Sequence, residues 1–242
     1  MKQVVIMAGG KGTRMRPYTN ILPKPLLPIG LTSILEINLR QLAANGFDEV
    51  VIAVGYLGEL IESVIGSGDR FGLKIRYVYE KSALGTAGAL SLMQADLKAS
   101  FLVMNGDILH DVDLDLLRST HIETGSEVTI TTFEKQHKVS LGVLESEAGR
   151  LKSYIEKPTK VYDVSMGIYA MKREVAEDFV KGVDYMDFPN LINLLLGSGR
   201  VVTCFKHTGL WVDLGTHTEY LAVLEELDRI AANHPDVPIL LN

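Results

Sequence analysis

At 242 residues, 47% of them hydrophobic and 22% charged, the chain has room for a sizeable α/β core and the make-up of an ordinary globular protein. A net charge of −6 argues against a general nucleic-acid surface while leaving room for a local basic pocket. The longest stretch without Asp, Glu, Lys or Arg, residues 82–95, is too short to span a bilayer, and Lys11 cuts off an N-terminal apolar segment that reads as a strand and not as a signal peptide. The single cysteine, Cys204, excludes an intrachain disulfide and fits a reducing compartment. The expected setting is therefore the cytoplasm, with neither membrane nor nucleic acid as a partner.

From residue 2 to about 107 the pattern alternates strand and helix. Strands are predicted over 4–7, 50–54, 75–79 and 101–104, as continuous apolar runs of the kind buried on both faces of a parallel sheet. Helices are predicted over 33–44, 57–65 and 86–95. The first opens on Ser33 with Glu36 three residues later, a capping box, and stops at Asn45-Gly46. Such alternation implies a Rossmann-like, doubly wound α/β sheet with right-handed crossovers, whose ligands lie outside the carboxyl ends of the strands. The second half changes character. Strand-like segments over 127–133, 141–144, 151–155 and 164–171 follow one another with little helix between, which predicts antiparallel insertions and a mixed sheet. A helix starts near Asp187-Phe188-Pro189, strands follow at 201–205 and 210–212, and a last helix runs over 216–231. Cys204 reads as a small core residue of its strand.

The first strand breaks into Met7-Ala8-Gly9-Gly10-Lys11-Gly12-Thr13-Arg14, and Pro23-Lys24-Pro25 follows nine residues on. Glycines at a strand end let backbone N–H groups approach an anion closely, and they tolerate a left-handed turn. Lys11, Arg14, Arg16 and Lys24 can then neutralise charge that the amides only orient. The spacing is neither that of a P-loop nor that of the dinucleotide G-x-G-x-x-G. A basic loop in an acidic chain is what a small polyanion requires.

This loop, continued by Pro17, Thr19 and Pro28, resembles the signature of the sugar-1-phosphate nucleotidylyltransferases. The resemblance runs on in order through Leu84-Gly85-Thr86-Ala87-Gly88-Ala89, Asn105-Gly106-Asp107, Glu156-Lys157-Pro158 and Trp211-Val212-Asp213-Leu214-Gly215, and so covers nearly the whole chain. It implies the nucleotide-diphospho-sugar transferase fold as one domain over 1–242, with a nucleotide-binding half (1–110) and a sugar-phosphate-binding half (111–242). The implied reaction joins a nucleoside triphosphate to a sugar 1-phosphate, giving a nucleotide sugar and pyrophosphate.

The same resemblance implies residue roles. The backbone of Ala8, Gly9, Gly10 and Gly12 holds ribose and phosphates, with Thr13 also at the nucleotide; Asp107 and Asp213 hold Mg2+, which favours carboxylate, phosphate and water oxygens; by their charge, Arg14 and Lys24 are the candidates for the triphosphate. Glu80 and Gly85 fall where relatives meet the base, Lys157 where they bind the sugar phosphate, and Glu156 and Gly142 where they meet the sugar. Taken alone, a strand-end aspartate reads as a turn or cap residue and Glu-Lys-Pro as a solvated strand end. Asp111, Asp113 and Asp115 read as charges at a helix N-terminus, and His217 as a first-turn helix residue. Met166, in Ser165-Met166-Gly167, departs from the asparagine or alanine that many relatives carry there.

A carboxylate at position 80 can accept from both N–H groups of a guanine edge. The Leu-Gly-Thr-Ala-Gly run resembles the GDP-mannose-forming branch more than the dTDP-glucose branch, and this resemblance implies GTP with a mannose-like or heptose 1-phosphate. UTP, dTTP or CTP with a glucose-type phosphate is the alternative, and a non-catalytic nucleotide-sugar-binding regulatory subunit is the alternative of another class. Oligomeric state, a homo-oligomer included, is left open by the sequence.

Overall fold

The computed structural model describes residues 2–239 and 241. In chain order the elements are β1 (Gln3–Ala8), β2 (Pro28–Ile29), β3 (Thr32–Ser33), α1 (Ile34–Ala44), β4 (Glu49–Val54), α2 (Gly58–Ile65), β5 (Lys74–Tyr79), β6 (Ser100–Asn105), β7 (Ile108–His110) and α3 (Leu114–Thr124). Then come β8 (Val128–Lys138), β9 (Val143–Glu147), β10 (Arg150–Ile155), β11 (Thr159–Lys172), α4 (Arg173–Phe179), α5 (Phe188–Gly197), β12 (Val202–His207), β13 (Trp211–Asp213), α6 (His217–Glu225) and α7 (Leu227–Asn233).

The main sheet has seven strands in the order β12-β8-β11-β6-β1-β4-β5. Strands β6, β1, β4 and β5 run parallel, in registers such as Val5↔Val51 and Val5↔Val103. Strand β11 is antiparallel to both β6 and β8. The mixed sheet drawn from both halves of the chain is the one the sequence predicts. Val4, Val5 and Ile6 are all fully buried because the sheet is covered on both faces. Val4 and Ile6 face a layer with Leu35 and Leu39 of α1, Ile61 of α2 and Leu117 of α3. Val5 faces the other way, towards Leu90, Val175 of α4 and Leu191 of α5.

Local signals act as expected where they govern the backbone alone. Ser33 Oγ accepts from Glu36 N–H at 3.3 Å while Glu36 Oε2 accepts from Ser33 N–H at 2.9 Å, and the chain leaves α1 through Gly46 at φ +71°. Pro189 sits in the first turn of α5. Asp113 caps α3, accepting from Leu116 N–H at 2.8 Å, and Asp115 lies in its first turn.

Four expectations are corrected. Residues 86–95 form no α-helix but two 3-10 turns, Gly88–Leu92 and Gln94–Asp96, parted at Met93 (φ −130°, ψ 14°), and the N–H groups of Ala87 and Gly88 donate to Met186 O, 2.9 Å away in each case. The last helix is two, α6 and α7, since Glu226 (φ −105°, ψ 11°) leaves the helical region between them. Cys204 is exposed: β12 is an edge strand, and Cys204 shares its open face with Lys206. Asp111 also lies outside α3 and accepts instead from Leu210 N–H at 2.6 Å. Among the described residues no helix is long and apolar enough to cross a membrane.

Candidate active site

The chain leaves β1 and moves outward through β4 and β5, then returns to the other side of β1 as β6. The crevice beyond the carboxyl ends of β1 and β6 is therefore a topological switch point, the place where open α/β sheets bind ligands. Gly106 N–H donates to Met7 O at 3.0 Å and sets the turn after β6 against the loop after β1. The antiparallel pair β7–β13, with Asp213 opposite Ile108 and Leu214 N–H donating to Asp107 O at 3.2 Å, brings the two aspartates together across 106 positions of sequence.

A cleft of about 400 Å3 opens here, lined by Ala8, Gly9, Gly10, Gly12, Thr13 and Arg14 from the loop, with Lys24, Glu80, Gly85 and Asp107 around them. The glycines differ in why they are glycines. At Gly12 φ is +58°, and Thr19 Oγ1 donates to its carbonyl at 2.8 Å, fixing the turn. A Cβ on Gly9 would run into the Glu80 carboxylate, whereas one on Gly10 would meet no protein atom within 4 Å. Gly10 thus faces open cleft, and its small size leaves backbone free for whatever enters.

Lys24 is buried at 8% exposure, its stem held in a 3-10 turn behind Pro23. Its Nζ donates to Asp107 Oδ2 at 2.5 Å and lies 3.8 Å from Asp213 Oδ1, so one ammonium bridges two carboxylates. Burial, and then the nearby Asp107 charge, push the Asp213 carboxyl above the usual range, with Lys24 and Arg14 pulling the other way. Burial likewise raises Glu80, opposed by a hydrogen bond from Leu84 N–H at 3.3 Å.

Asp107, Asp213 and the nearby Glu219 outnumber Lys24 and Arg14 and leave a surplus negative charge, and hard oxygen donors on adjacent strand ends fit a magnesium ion that completes its shell with phosphate and water. Asp107 and Asp213 would hold it. Among the described residues no group of three or more His, Cys, Asp and Glu side chains is set to hold a metal by itself.

Gly142, Glu156 and Lys157 meet one another but do not line this cleft. Tyr154 Oη donates to Glu156 Oε2 at 3.0 Å, a Cβ on Gly142 would fall 3.1 Å from that same oxygen, and Lys157 Nζ lies 3.8 Å from Glu156 Oε1. They cluster where the hairpin β9–β10 ends on the Ile155↔Val143 pair. Sequence reasoning missed Asn105, Thr86, Tyr185 and Asp187, which also line the cleft. Asn105 packs so close to Gly167 (φ +77°) that a Cβ there would lie 2.6 Å from its Nδ2. Asp187 was legible only as the residue before a helix-starting Phe-Pro.

The Nucleotidyl transferase family profile matches residues 3–229, and the chain belongs to that family. It is 33% identical over 237 residues to a UTP–glucose-1-phosphate uridylyltransferase of Synechocystis sp., covering 90% of this chain and 61% of that protein. It is 29% identical over 238 residues to a mannose-1-phosphate guanylyltransferase of Mycobacterium tuberculosis, covering 96% of this chain and 66% of the relative. The chain thus spans roughly three fifths to two thirds of the length of these curated relatives. Among solved structures, HddC from Yersinia pseudotuberculosis superposes with a TM-score of 0.71 at 25% identity, over 94% of this chain and 100% of that one. The fold is that of the nucleotide-diphospho-sugar transferases, as the sequence predicts.

Proposed function

We propose that this protein transfers a nucleotidyl group from a nucleoside triphosphate to a sugar 1-phosphate, using GTP and a mannose-like or heptose 1-phosphate with Mg2+ in the cytoplasm. The observation that carries this reading is the bridge of Lys24 across Asp107 and Asp213 at the mouth of the glycine loop. Cations, carboxylates and free backbone amides meet where a triphosphate would lie.

In the proposed step a phosphate oxygen of the sugar 1-phosphate attacks the α-phosphorus. The new P–O bond forms as the bond from the α-phosphorus to the bridging oxygen breaks, and that electron pair leaves on pyrophosphate. An anion attacks an anion, so positioning and fixed positive charge supply the catalysis, and no covalent nucleophile is required. Arg14, whose guanidinium suits two oxygens at once, and Lys24 offset the charge of the triphosphate. Mg2+, when bound to Asp107 and Asp213, adds Lewis-acid neutralisation of phosphate oxygens. Lys157 binds the incoming phosphate and Glu156 and Gly142 the sugar, which requires the β9–β10 hairpin to meet the cleft through the substrate itself.

Glu80 is the proposed reader of the base. Its carboxylate is held above its usual pKa by burial with one partner N–H, so a ligand bringing two donors compensates it well, and guanine offers N1–H and the 2-amino group. The Mycobacterium tuberculosis relative is named for guanylyl transfer; the Synechocystis relative, named for uridylyl transfer, supports UTP as the second reading. Pyrophosphate release from GTP or UTP with mannose 1-phosphate or glucose 1-phosphate tests the proposal. Release should require both substrates and fall by more than a hundredfold in Asp107→Asn. Nucleotide binding without release would instead favour a regulatory, non-catalytic subunit.

A further inference from the structure

We infer that Asp187 is a positioning residue for the nucleotide: it holds the Leu84–Gly88 loop in the shape that presents Gly85 to the cleft. The inference rests on the nucleotidyl-transfer reading above. The loop does not support itself. It lies on residues 185–188, about a hundred positions later in sequence, which lead from the α4–α5 connection into the first residue of α5. Met186 N–H donates to Leu84 O at 2.8 Å, and Met186 O accepts from Ala87 and Gly88. Thr86 then donates twice to one oxygen, Asp187 Oδ1, from its N–H at 2.8 Å and from its hydroxyl at 3.1 Å. The Thr86 hydroxyl accepts in turn from Phe188 N–H at 3.0 Å, and Asp187 Oδ2 accepts from the Tyr185 hydroxyl at 2.7 Å.

Both carboxylate oxygens of Asp187 are thus occupied, and hydrogen bonds led by Thr86 N–H hold its carboxyl below the usual range. The fit is tight as well as polar. Gly85 stands at φ +85°, and a Cβ there would lie 2.5 Å from Met186 O and 3.0 Å from Asp187 Oδ1. No side chain fits at position 85, so the Gly85 backbone lies directly against Met186 and Asp187, where Thr86 is tied to the Asp187 carboxylate. Gly85, Thr86, Tyr185 and Asp187 all line the cleft, which makes this contact its wall and not a remote brace. Residues 185–188 belong to the second half of the chain, so the base-binding loop of the first half takes its shape from the second.

Loss of two acceptor contacts in a half-exposed site corresponds to roughly a tenfold weakening of whatever the loop presents. Asp187→Ala should raise the Kd of GTP with Mg2+, read by titration calorimetry, about tenfold. The KM of mannose 1-phosphate should stay within twofold of wild type at saturating GTP. Asp187→Asn, which keeps an acceptor oxygen for Thr86, should recover most of the lost affinity, and Thr86→Val, which leaves the Thr86 N–H bond to Asp187 in place, should lose less than Asp187→Ala. A thermal melt separates unfolding from loss of positioning. Unchanged nucleotide affinity in Asp187→Ala, or equal losses for nucleotide and sugar phosphate, would overturn the inference and leave the transferase reading intact. Failure of the wild type to bind either GTP or UTP would overturn both.

Discussion

Lys24 lies between two aspartates in a site of surplus negative charge, and replacing it with methionine isolates that contribution. Methionine keeps the length and apolar stem while deleting the charge. At an effective dielectric of ~20, charges at 2.5 and 3.8 Å attract by roughly 7 and 4 kcal/mol. Most of that gain is offset by the cost of burying an ammonium, and breaking a buried pair typically costs about 3–5 kcal/mol. The side chains of Asp107 and Asp213 are 26% and 47% exposed, so water screens them, and a net loss of ~2–3 kcal/mol is expected for Lys24→Met. In urea, with a slope of ~2.5 kcal/mol/M, the unfolding midpoint should fall by about 1 M. Mg2+ should then stabilise the variant more than the wild type, because two uncompensated carboxylates attract it. At a concentration ten times its Kd the gain is about 1.4 kcal/mol. A midpoint unchanged by the substitution, or equal Mg2+ shifts in both proteins, would refute this account of the bridge.

Glu80→Gln keeps size but sets an N–H2 against a donor of guanine, a mispairing of ~1–3 kcal/mol; kcat/KM should fall ten- to a hundredfold for GTP and little for UTP, and an unchanged GTP/UTP ratio argues that backbone around Gly85 reads the base. Lys157→Ala should raise the KM of the sugar 1-phosphate at least tenfold while nucleotide Kd holds; equal losses for both substrates contradict its assignment. His110 and His121 are buried and held neutral, with pKa values lowered to about 4, chiefly by burial. Each lies below the unfolded value of 6.5, so the stability they contribute is complete above pH ~6.5 and is lost as pH falls towards 4. The slope is ~1.4 kcal/mol per pH unit for each, and urea midpoints between pH 7.5 and 4.5 should flatten in His110→Gln and His121→Gln.

The parallel half of the sheet was legible because a strand covered on both faces must be apolar throughout, as Val4-Val5-Ile6 and Val50–Val54 are. The α1 start was legible because its capping box is a contact between residues three apart. What failed depends on partners distant in sequence. The stretch after Gly85 has helix-forming alanines and leucines, yet it is pinned to Met186 at its start and leaves the helical region at Met93. Cys204 reads as core until the sheet order places β12 at an edge. In the site, Gly9, Gly10, Gly12 and Arg14 stand together in sequence and line the cleft together, with Lys11 and Arg16 outside its lining, and Asp213 joins Asp107 only through the β7–β13 pair. Asp187 carries only the local pattern of a residue before a helix and Tyr185 none; Asp187 takes its role from a contact with Thr86 across the fold, and Tyr185 from its bond to Asp187.

The most direct test of the proposed activity is product stoichiometry. Wild-type protein is mixed with Mg2+, each of GTP, UTP, dTTP and CTP, and each of mannose 1-phosphate, a heptose 1-phosphate and glucose 1-phosphate, and pyrophosphate and nucleotide sugar are quantified by chromatography and mass spectrometry. One pyrophosphate per nucleotide sugar, greatest with GTP and a mannose-like or heptose 1-phosphate, is the predicted result. The same stoichiometry with UTP and glucose 1-phosphate would contradict the base assignment alone. Inorganic phosphate in place of pyrophosphate, or no nucleotide sugar from any pair, would contradict nucleotidyl transfer itself.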